Sequence, residues 1–455
     1  MKRLPVILLV LFSQLSFAQW DDKDFLTPGF HQNRRDSLRA LIPAGSVAIL
    51  FANPVRNRAN DVDYEYHQDP NFYYLTGYRE PDALVVIFKE EQTFGAVKTN
   101  EILFVQQRNE KSEVWTGKRL GVEGAKSELK WKDVYNNSEF KFAELNLKIL
   151  KQLLVIWPQD PNSSSDEKSD LLKLTDDLKA KINSSGIKEN KDDLKIYMAG
   201  MREQKLPEEM VLLQKAIDIS AEGFKAMMQT VKPGMKEYQT QATGEYVFKN
   251  LGAEGQGYGS ICGGGKNACV LHYVFNRSEV EGDNMFLVDM GAEYHGYTAD
   301  VTRTFPVDGR FSEAEKEIYQ LVYDAQEAAF KACKVGNAFR STHLAAYNVI
   351  AKGLIQLGII TKEEDAKKYF MHGTSHYLGL DVHDAGSFGP YKAGTVITVE
   401  PGIYIPEGSN CDKKYWNIGV RIEDDVLITP DGYKVLSGNL ARSVTDIERL
   451  MAAPQ

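Results

Sequence analysis

The sequence of 455 residues predicts an α+β protein built from two domains. At roughly 100–200 residues per domain, the chain is too long for one. Its first half alternates strand-like and helix-like segments, which is typical of an α/β domain, whereas strands and helices after residue 200 come in separate runs. Hydrophobic residues make up 43% and charged residues 26%, so wholesale disorder is excluded.

Charge and composition exclude several classes of protein. The net charge of −9 argues against a nucleic-acid-binding protein, which would carry clustered basic residues. Four cysteines are too few for a scaffold built from disulfides. No internal apolar segment approaches ~20 residues, so we expect no internal membrane span.

The first 18 residues have the features of a signal peptide. Lys2 and Arg3 are basic, residues 4–12 are apolar, and residues 16–18 form a small-x-small cleavage site. We therefore expect cleavage after Ala18 and an exported protein, periplasmic or secreted. The alternative is a retained membrane anchor, but the apolar segment is too short to span a bilayer comfortably.

Export has consequences for the mature chain. Without its signal peptide the chain is expected to have no stable membrane span. In an oxidising compartment, Cys262 and Cys269 could form a disulfide. Four unpaired, partly buried thiols are the alternative that the sequence leaves open.

The first domain is predicted to cover residues 19–200. A helical pattern at residues 33–41 precedes the first strand, and the polar residues 160–170 are predicted to form a surface loop. The predicted buried strands are apolar runs, at residues 46–51, 83–88, 101–105 and 153–157.

The second domain is predicted to cover residues 201–455. Pro207, followed by two acids, indicates the start of a long amphipathic helix that is predicted to end near Val231. Further helices are predicted at residues 312–333 and 342–357, among strands punctuated by glycines.

Carboxylates lie inside apolar strand-like segments of this domain, where an unpaired charge is costly. Asp289 and Asp300 fall in predicted strands at residues 286–291 and 297–302, joined by a short turn. If that hairpin is symmetric about residues 294–295, the two acids lie directly opposite each other, about 4.5–5.5 Å apart at Cβ. Such a pair calls for a cation between the acids. The alternative is a hairpin with two solvent-facing acids.

Residues 372–384 hold three histidines among glycines: His372, His376 and His383. The spacing of the first two imitates a zinc-protease helix. That motif requires Glu where Gly373 stands, so the helical zinc-protease interpretation fails. On composition alone, the three histidines fit a functional site or structural roles equally well.

Two further acids lie in β-branched runs. Glu400 ends the predicted strand at residues 395–400, and Glu423 lies within residues 418–426. On a strand, Arg421 and Glu423 would share one face. This pair fits a functional site or an exposed ion pair, which would contribute little to stability.

The charges of these residues predict a dinuclear metal site. Asp289, Asp300, Glu400 and Glu423 total −4 with His376 neutral, which matches two divalent cations. Two ions about 3.5–4 Å apart could share bridging carboxylates. Four carboxylates and one imidazole, without a thiolate, suit Mn²⁺, with Zn²⁺, Co²⁺ and Fe²⁺ as competitors.

Four segments resemble the aminopeptidase P family, the Xaa-Pro aminopeptidases among the pita-bread metallopeptidases. They are residues 57–64 and 69–83 in the first domain, and residues 267–273 and 372–384 (HGTSHYLGLDVHD) in the second. The resemblance covers nearly the whole mature chain. It implies an N-terminal α/β domain of the creatinase and prolidase type, followed by a pita-bread catalytic domain.

The resemblance also implies a role for each matched residue. Asp289 would chelate one metal, Asp300 and Glu423 would bridge both metals, and His376 and Glu400 would bind the other. The remaining matched residues would contact the substrate or support the site: His272, His372, His383, Arg421 and Tyr404.

The implied reaction is hydrolysis of the bond after the first residue when proline comes second, by attack of a hydroxide held between the metals. Glu400 would accept a proton, and His383 would help to stabilise the oxyanion. One rival is a Xaa-Pro dipeptidase (prolidase), which shares the signature and all five ligands. Another is a metal-free relative, either a creatinase-like hydrolase or a non-catalytic binding module. Expected partners are peptides with proline second and further copies of the chain in a homo-oligomer.

Overall fold

The computed structural model describes residues 24–161, 169–282 and 285–452. The predicted signal peptide, at residues 1–18, lies outside these residues, as does most of the predicted loop at residues 160–170. Among the helices of the described ranges, none has both the length and the apolar character that crossing a bilayer requires.

The first half of the chain folds around one mixed sheet of six strands. The helices are α1 (Pro28–Leu41), α2 (Pro70–Thr76), α3 (Glu110–Thr116), α4 (Gly121–Ser127), α5 (Asp170–Ser185) and α6 (Asp193–Glu203). The strands are β1 (Ser46–Phe51), β2 (Asn57–Ala59), β3 (Val62–Asp63), β4 (Leu84–Phe94), β5 (Val97–Val105), β6 (Val134–Asn136), β7 (Gln152–Ile156) and β8 (Lys188–Asn190). The sheet has the order β6-β5-β4-β1-β7-β8, while β2 and β3 form a separate ribbon.

β1 lies inside this sheet, antiparallel to β4 and parallel to β7. Val47 and Ile49 pack into a core on one face, whereas Ala48 and Leu50 belong to a core that continues into the second half of the chain. Both faces of the strand are therefore covered, which explains its uninterrupted apolar run. The four predicted strands of this half are confirmed as β1, β4, β5 and β7.

The second half consists of short sheets with helices packed on them. The helices are α7 (Pro207–Thr230), α8 (Glu237–Asn250), α9 (Glu313–Ala332), α10 (Ser341–Gln356) and α11 (Val444–Met451). The strands are β9 (Gly255–Gln256), β10 (Ile261–Gly264), β11 (Met285–Asp289), β12 (Ala292–Tyr294), β13 (Tyr297–Thr298), β14 (Thr302–Pro306), β15 (Val396–Val399), β16 (Gly402–Ile405), β17 (Ile418–Arg421), β18 (Asp424–Thr429) and β19 (Gly432–Val435). α7 packs on β12, α8 on β10, and α9 on β17.

The sheets of this half meet around the segments that carry the candidate ligands. Their orders are β10-β11-β14, β13-β12-β9, β15-β18-β19 and β16-β17. A bridge between Thr302 and Glu423 links the first of these sheets to the region between β17 and β18. The predicted helices are confirmed as α7, α9 and α10, and α7 begins with Pro207 at its first position.

The predicted register of the hairpin is wrong by one residue. Tyr294 pairs with Tyr297, and Asp289 pairs with Thr302, so Asp289 and Asp300 are not directly opposite. His295 and Gly296 form the turn, with φ of +52° and +85°. Two positive φ values in a two-residue turn match the twist of the flanking strands, which places the centre of the hairpin after His295 rather than before it.

Two predicted strands are interrupted. The strand expected at residues 297–302 is divided into β13 and β14, and the strand expected at residues 418–426 is divided into β17 and β18. The breaks contain Asp300 and Glu423, respectively.

Polar contacts join the two halves of the chain. An N-terminal strap, residues 24–26, contacts the hairpin turn: the Asp24 carboxylate accepts hydrogen bonds from Tyr294 (2.6 Å) and His295 (2.8 Å). Phe25 stacks on the His295 ring at 3.6 Å. His67 lies 3.1 Å from Glu293, on β12.

The cysteines are all within the described residues, and each carries a free thiol. Cys262 is buried and Cys269 is half-buried. Burial raises the pKa of both thiols, that of Cys269 to about 12. The alternative of unpaired thiols therefore describes this structure.

Candidate metal centre

The candidate ligands lie where strands end or break. Asp289 is the last residue of β11, and Glu400 directly follows β15. Asp300 and Glu423 occupy the breaks already described, and His376 precedes β15 in an irregular segment. Backbone at such points leaves the regular alternation of a strand, so side chains from several sheets can converge on one volume.

The structure brings the five candidate ligands together. The Nε2 atom of His376 lies 3.3 Å from Asp300 Oδ2 and 3.6 Å from Glu400 Oε1. Asp300, His376 and Glu423 each offer one ligand atom within 4.8 Å of the others. Asp289 is 8% exposed and Asp300 5%, so the alternative of two solvent-facing acids is wrong.

Arg421 is buried behind the acids. Its guanidinium donates to Asp289 (2.6 Å), to the Tyr404 hydroxyl (2.9 Å) and to the Thr302 hydroxyl (3.2 Å). The Thr302 hydroxyl in turn donates to Glu423 at 2.6 Å. The alternative of an exposed Arg421–Glu423 ion pair is therefore wrong: both residues are buried, and the partner of the arginine is Asp289.

Tyr258 is a site residue that the sequence analysis missed. Its hydroxyl lies 2.6 Å from Asp289 Oδ1 and 2.5 Å from Asp300 Oδ1. Burial and the charges of both acids raise its pKa well above the usual value, so it stays protonated. The hydroxyl lies between two carboxylates that the register alone does not place side by side, and its one hydrogen can be donated to either of them. In the sequence, only its position between two glycines distinguishes this tyrosine.

The carboxylates of the site are short of positive charge. Burial raises the pKa of Glu400 to about 7, and the charge of Asp300 adds to this effect. Burial also raises the pKa of Glu423 well above its usual range, as do Asp300 and Glu400. The pKa of Asp289 is raised by burial despite the opposing charge of Arg421. Such shifts indicate buried acids without enough counter-charge.

His376 presents one nitrogen to the acids. Burial would lower its pKa, but the hydrogen bond with Asp300 and the charges of Asp300 and Glu400 outweigh burial and raise it to about 9. Its Nδ1 atom donates to the Tyr377 carbonyl at 3.0 Å. That bond fixes the hydrogen on Nδ1 in the neutral ring, which leaves the Nε2 lone pair directed at the site.

The other matched histidines lie around the same cavity. Burial, with the charge of Arg421, lowers the pKa of His372 to about 3, and its Nε2 accepts a hydrogen bond from Tyr404 at 2.8 Å. His383 packs edge-on against His376, with ring centroids 4.3 Å apart. His272 is exposed at the rim.

A cavity of about 490 Å³ opens onto the site. Nine of the ten matched residues line it, and Tyr404 is buried behind Arg421. Apolar side chains complete its wall: Ile261, Leu271, Val274 and Val382. The volume can therefore admit a short peptide beside the acids.

These residues fit divalent cations. Oxygen and imidazole donors converge, and the raised pKa values of the acids mark an excess of buried negative charge that a cation would neutralise. Arg421 supplies only one positive charge against four acids.

Comparison with known proteins gives matches over both halves. A family model for the aminopeptidase P N-terminal domain matches residues 31–152, and one for metallopeptidase family M24 matches residues 211–430. A Xaa-Pro aminopeptidase of Haemophilus influenzae is 37% identical over 92% of this chain and 96% of its own length. One of Escherichia coli is 34% identical over 93% and 97%. The solved structure of Pseudomonas aeruginosa aminopeptidase PepP has a TM-score of 0.85 and 32% identity, covering 94% of this chain and 99% of that one.

Proposed function

The chain belongs to metallopeptidase family M24, and we propose that it releases the first residue from peptides whose second residue is proline. Its fold is the predicted one, an aminopeptidase P-type N-terminal domain followed by a pita-bread catalytic domain. The observation that carries the proposal is the convergence of four acids and one histidine at a cavity large enough for a peptide.

We propose that two divalent cations bind here. Asp289 would chelate one cation, Asp300 and Glu423 would bridge both, and His376 and Glu400 would bind the other. Asp300 and Glu423 have ligand atoms within 4.8 Å of His376 and of each other, so both acids can reach the cation that His376 would bind. An oxygen-rich donor set without thiolates favours Mn²⁺, ahead of Zn²⁺, Co²⁺ and Fe²⁺.

The cations, when bound, would lower the pKa of a water molecule and polarise the substrate carbonyl. Glu400 would serve as the proton acceptor, because a carboxylate that binds a cation through one oxygen keeps a second oxygen that can take the proton. Arg421 holds Asp289 and Tyr404 in place through two hydrogen bonds. His372 stays neutral, since its pKa is lowered to about 3.

The exposed histidines would hold the substrate. His272 and His383 line the cavity and leave ring nitrogens available to the peptide. The pKa of His383 is lowered by burial and by His376, so it is a neutral donor at physiological pH. A hydrogen bond from His383 to the developing oxyanion would stabilise the transition state.

Cleavage of paired substrates tests this function against that of a Xaa-Pro dipeptidase. The metal-depleted protein is reloaded with Mn²⁺ and given a Xaa-Pro dipeptide and a longer Xaa-Pro peptide. We expect release of the first residue from the longer peptide, and no cleavage when alanine replaces the second-position proline. Activity confined to the dipeptide would contradict the proposal.

We also propose that the mature protein is exported, on the basis of the signal-peptide features of residues 1–18, and that it forms a homo-oligomer. Mass spectrometry of the native protein checks the first point, because a chain beginning at Gln19 is expected. Light scattering of the same sample checks the second. A chain that retains Met1, or a monomeric mass, would contradict the respective proposal.

A further inference from the structure

Behind the candidate metal centre, a buried glutamine contacts the backbone of two ligand-bearing segments. Gln326, on α9, is 0% exposed. Its amide nitrogen donates to the carbonyl of Val399 at 2.9 Å and lies 3.2 Å from that of Ile422. These residues directly precede Glu400 and Glu423. A single side-chain amide therefore ties together the segments that present two of the candidate ligands.

Arg303 and Asp424 extend these contacts into a back plate, defined as Arg303, Gln326 and Asp424. The Arg303 guanidinium donates to the carbonyls of Thr302 (2.9 Å) and Glu423 (2.5 Å) and to the Asp424 carboxylate (2.6 Å). All three members of the back plate are 0% exposed. The back plate thus holds the segments on the side of the sheet that faces away from the cavity.

The orientation of the Gln326 amide is fixed from both ends. Its nitrogen also lies 3.0 Å from Asp424 Oδ2, so three oxygens surround that end. Its oxygen accepts a hydrogen bond from Arg442 at 2.7 Å. A rotated amide would place its oxygen against those three oxygens and its nitrogen against a guanidinium. Only one orientation satisfies both ends.

We propose that Gln326 is a positioning residue for cation binding: by holding Val399 and Ile422 together, it sets the separation of Glu400 and Glu423. The proposal rests on the proposed function, in which both acids are ligands. A buried polar side chain is costly unless its hydrogen bonds are satisfied, and α9 could be packed there with an apolar residue. Residues that support metal ligands commonly affect metal affinity 10–100-fold.

The test is Gln326→Met, which keeps the length of the side chain and removes its donor. Metal-depleted wild type and variant are titrated with Mn²⁺ by calorimetry, and the melting temperature of each metal-free protein is measured. We expect Mn²⁺ affinity at least about tenfold weaker in the variant. Gln320→Met makes the same change at an exposed site of α9 and should bind Mn²⁺ as wild type does.

A second control separates positioning from simple stabilisation of the fold. Ile318→Ala removes a buried side chain of α9 and should lower the melting temperature without weakening Mn²⁺ binding. Wild-type affinity in Gln326→Met would overturn the proposal, as would an equal loss of affinity in Ile318→Ala. A wild-type protein that binds no Mn²⁺ would instead contradict the proposed function.

A third variant covers the case in which Gln326→Met does not fold. Arg442→Met removes the donor that orients the Gln326 amide, and its guanidinium is partly exposed, so the fold should tolerate the change. We expect a loss of Mn²⁺ affinity of about threefold or more, which is smaller than the 10–100-fold typical of supporting residues because Arg442 acts only through Gln326. Glu327→Gln removes only the surface partner of Arg442 and should leave the affinity unchanged. Unchanged affinity in folded Arg442→Met would overturn the proposal.

Discussion

Two clusters of buried charged side chains differ in how much positive charge they supply to their carboxylates. At the candidate metal centre, four acids meet Arg421, and the pKa values of Glu400, Glu423 and Asp289 are raised. At the domain junction, a single carboxylate, that of Asp384, contacts two basic side chains, those of Arg202 and Lys205, the latter at 2.8 Å.

The effect on Asp384 is opposite to that on Glu400. Burial would raise the pKa of Asp384, but the charges of Arg202 and Lys205 outweigh burial and lower it. Arg202 also donates to Asn71 on α2, at 2.8 Å, so this cluster ties the two domains together. Similar burial therefore has two outcomes: the chain itself neutralises Asp384, whereas the acids at the centre lack a counter-charge that only something bound can supply.

The largest effect on stability is expected at Asp384, whose charge is already neutralised by the chain. Asp384→Asn leaves two buried cations without their carboxylate, so we expect the free energy of unfolding to fall by about 3–5 kcal/mol. Mn²⁺ binding should persist with two ions per chain. Denaturant unfolding and metal analysis measure the two quantities, and exposed Asp381→Asn is the matched control. A loss below about 1 kcal/mol would contradict the comparison.

Removing a negative charge from the candidate metal centre should not destabilise the metal-free protein. Asp300→Asn keeps the shape of the side chain, but an amide cannot bridge two cations. We expect loss of the dinuclear centre and at least about 100-fold lower activity. The metal-free variant should be at least as stable as metal-free wild type, because one repulsive charge is gone. Asp431→Asn, on the surface, serves as the control. Full activity with two ions bound would show that Asp300 does not bridge.

The pH dependence of stability in the metal-free protein should reveal the excess of negative charge at the candidate metal centre. Glu400 has a pKa raised from 4.5 to about 7, and His376 one raised from 6.5 to about 9. The folded state therefore binds more protons than the unfolded state, and stability falls as pH rises between about 5 and 9. We expect the melting temperature to fall over this range, whereas Mn²⁺ should remove the slope. A melting temperature that rises with pH without metal would contradict these shifts.

The same shifts predict proton release when metal binds. At pH 7 and without metal, His376 is protonated and Glu400 is partly protonated. Mn²⁺ needs the deprotonated forms, so binding should release about one to two protons. Calorimetry in buffers of different ionisation enthalpy measures this number. Enthalpies that do not depend on the buffer would mean that the ligands are already deprotonated.

The smallest effect on activity is expected at His295. Its position in a predicted turn suggests an exposed side chain whose loss has little effect. The structure instead buries the ring between Asp24 and Glu254, at 2.8 and 2.7 Å. Burial would lower its pKa, but these two bonds outweigh burial and raise it. We expect His295→Ala to lower the melting temperature and to leave turnover per folded molecule within about threefold. Asn60→Ala, at an exposed turn with positive φ, is the control for both measurements.

Much of the fold is predictable from the sequence, because strands that are buried on both faces, such as residues 46–51, are uninterrupted apolar runs. The register of the hairpin was not predictable in the same way. Whether a turn centres before or after His295 depends on two backbone angles, and a one-residue error changes which residues pair. The acids were found because their cost in apolar segments is visible. Their location in strand breaks could not be predicted, because a break depends on contacts made by other sheets.

The candidate site was predictable as a set of residue types and only partly as a set of contacts. The resemblance picked out ten residues, and nine of them line one cavity. Tyr258 and Gln326 were missed because neither has a charge whose burial would be costly or a spacing typical of a site. Of the two alternatives left open for Arg421, the exposed ion pair with Glu423 is wrong. Sequence neighbours on a strand suggested Glu423, whereas the fold brings Asp289 within 2.6 Å from a strand more than 130 residues earlier.

The N-terminal strap has a consequence for the order in which the chain can fold. Asp24 contacts Tyr294, which lies 270 residues later in the chain. Closing so large a loop costs more entropy than forming any local contact, so it should follow the folding of the hairpin. The strap is therefore expected to dock after the hairpin has formed.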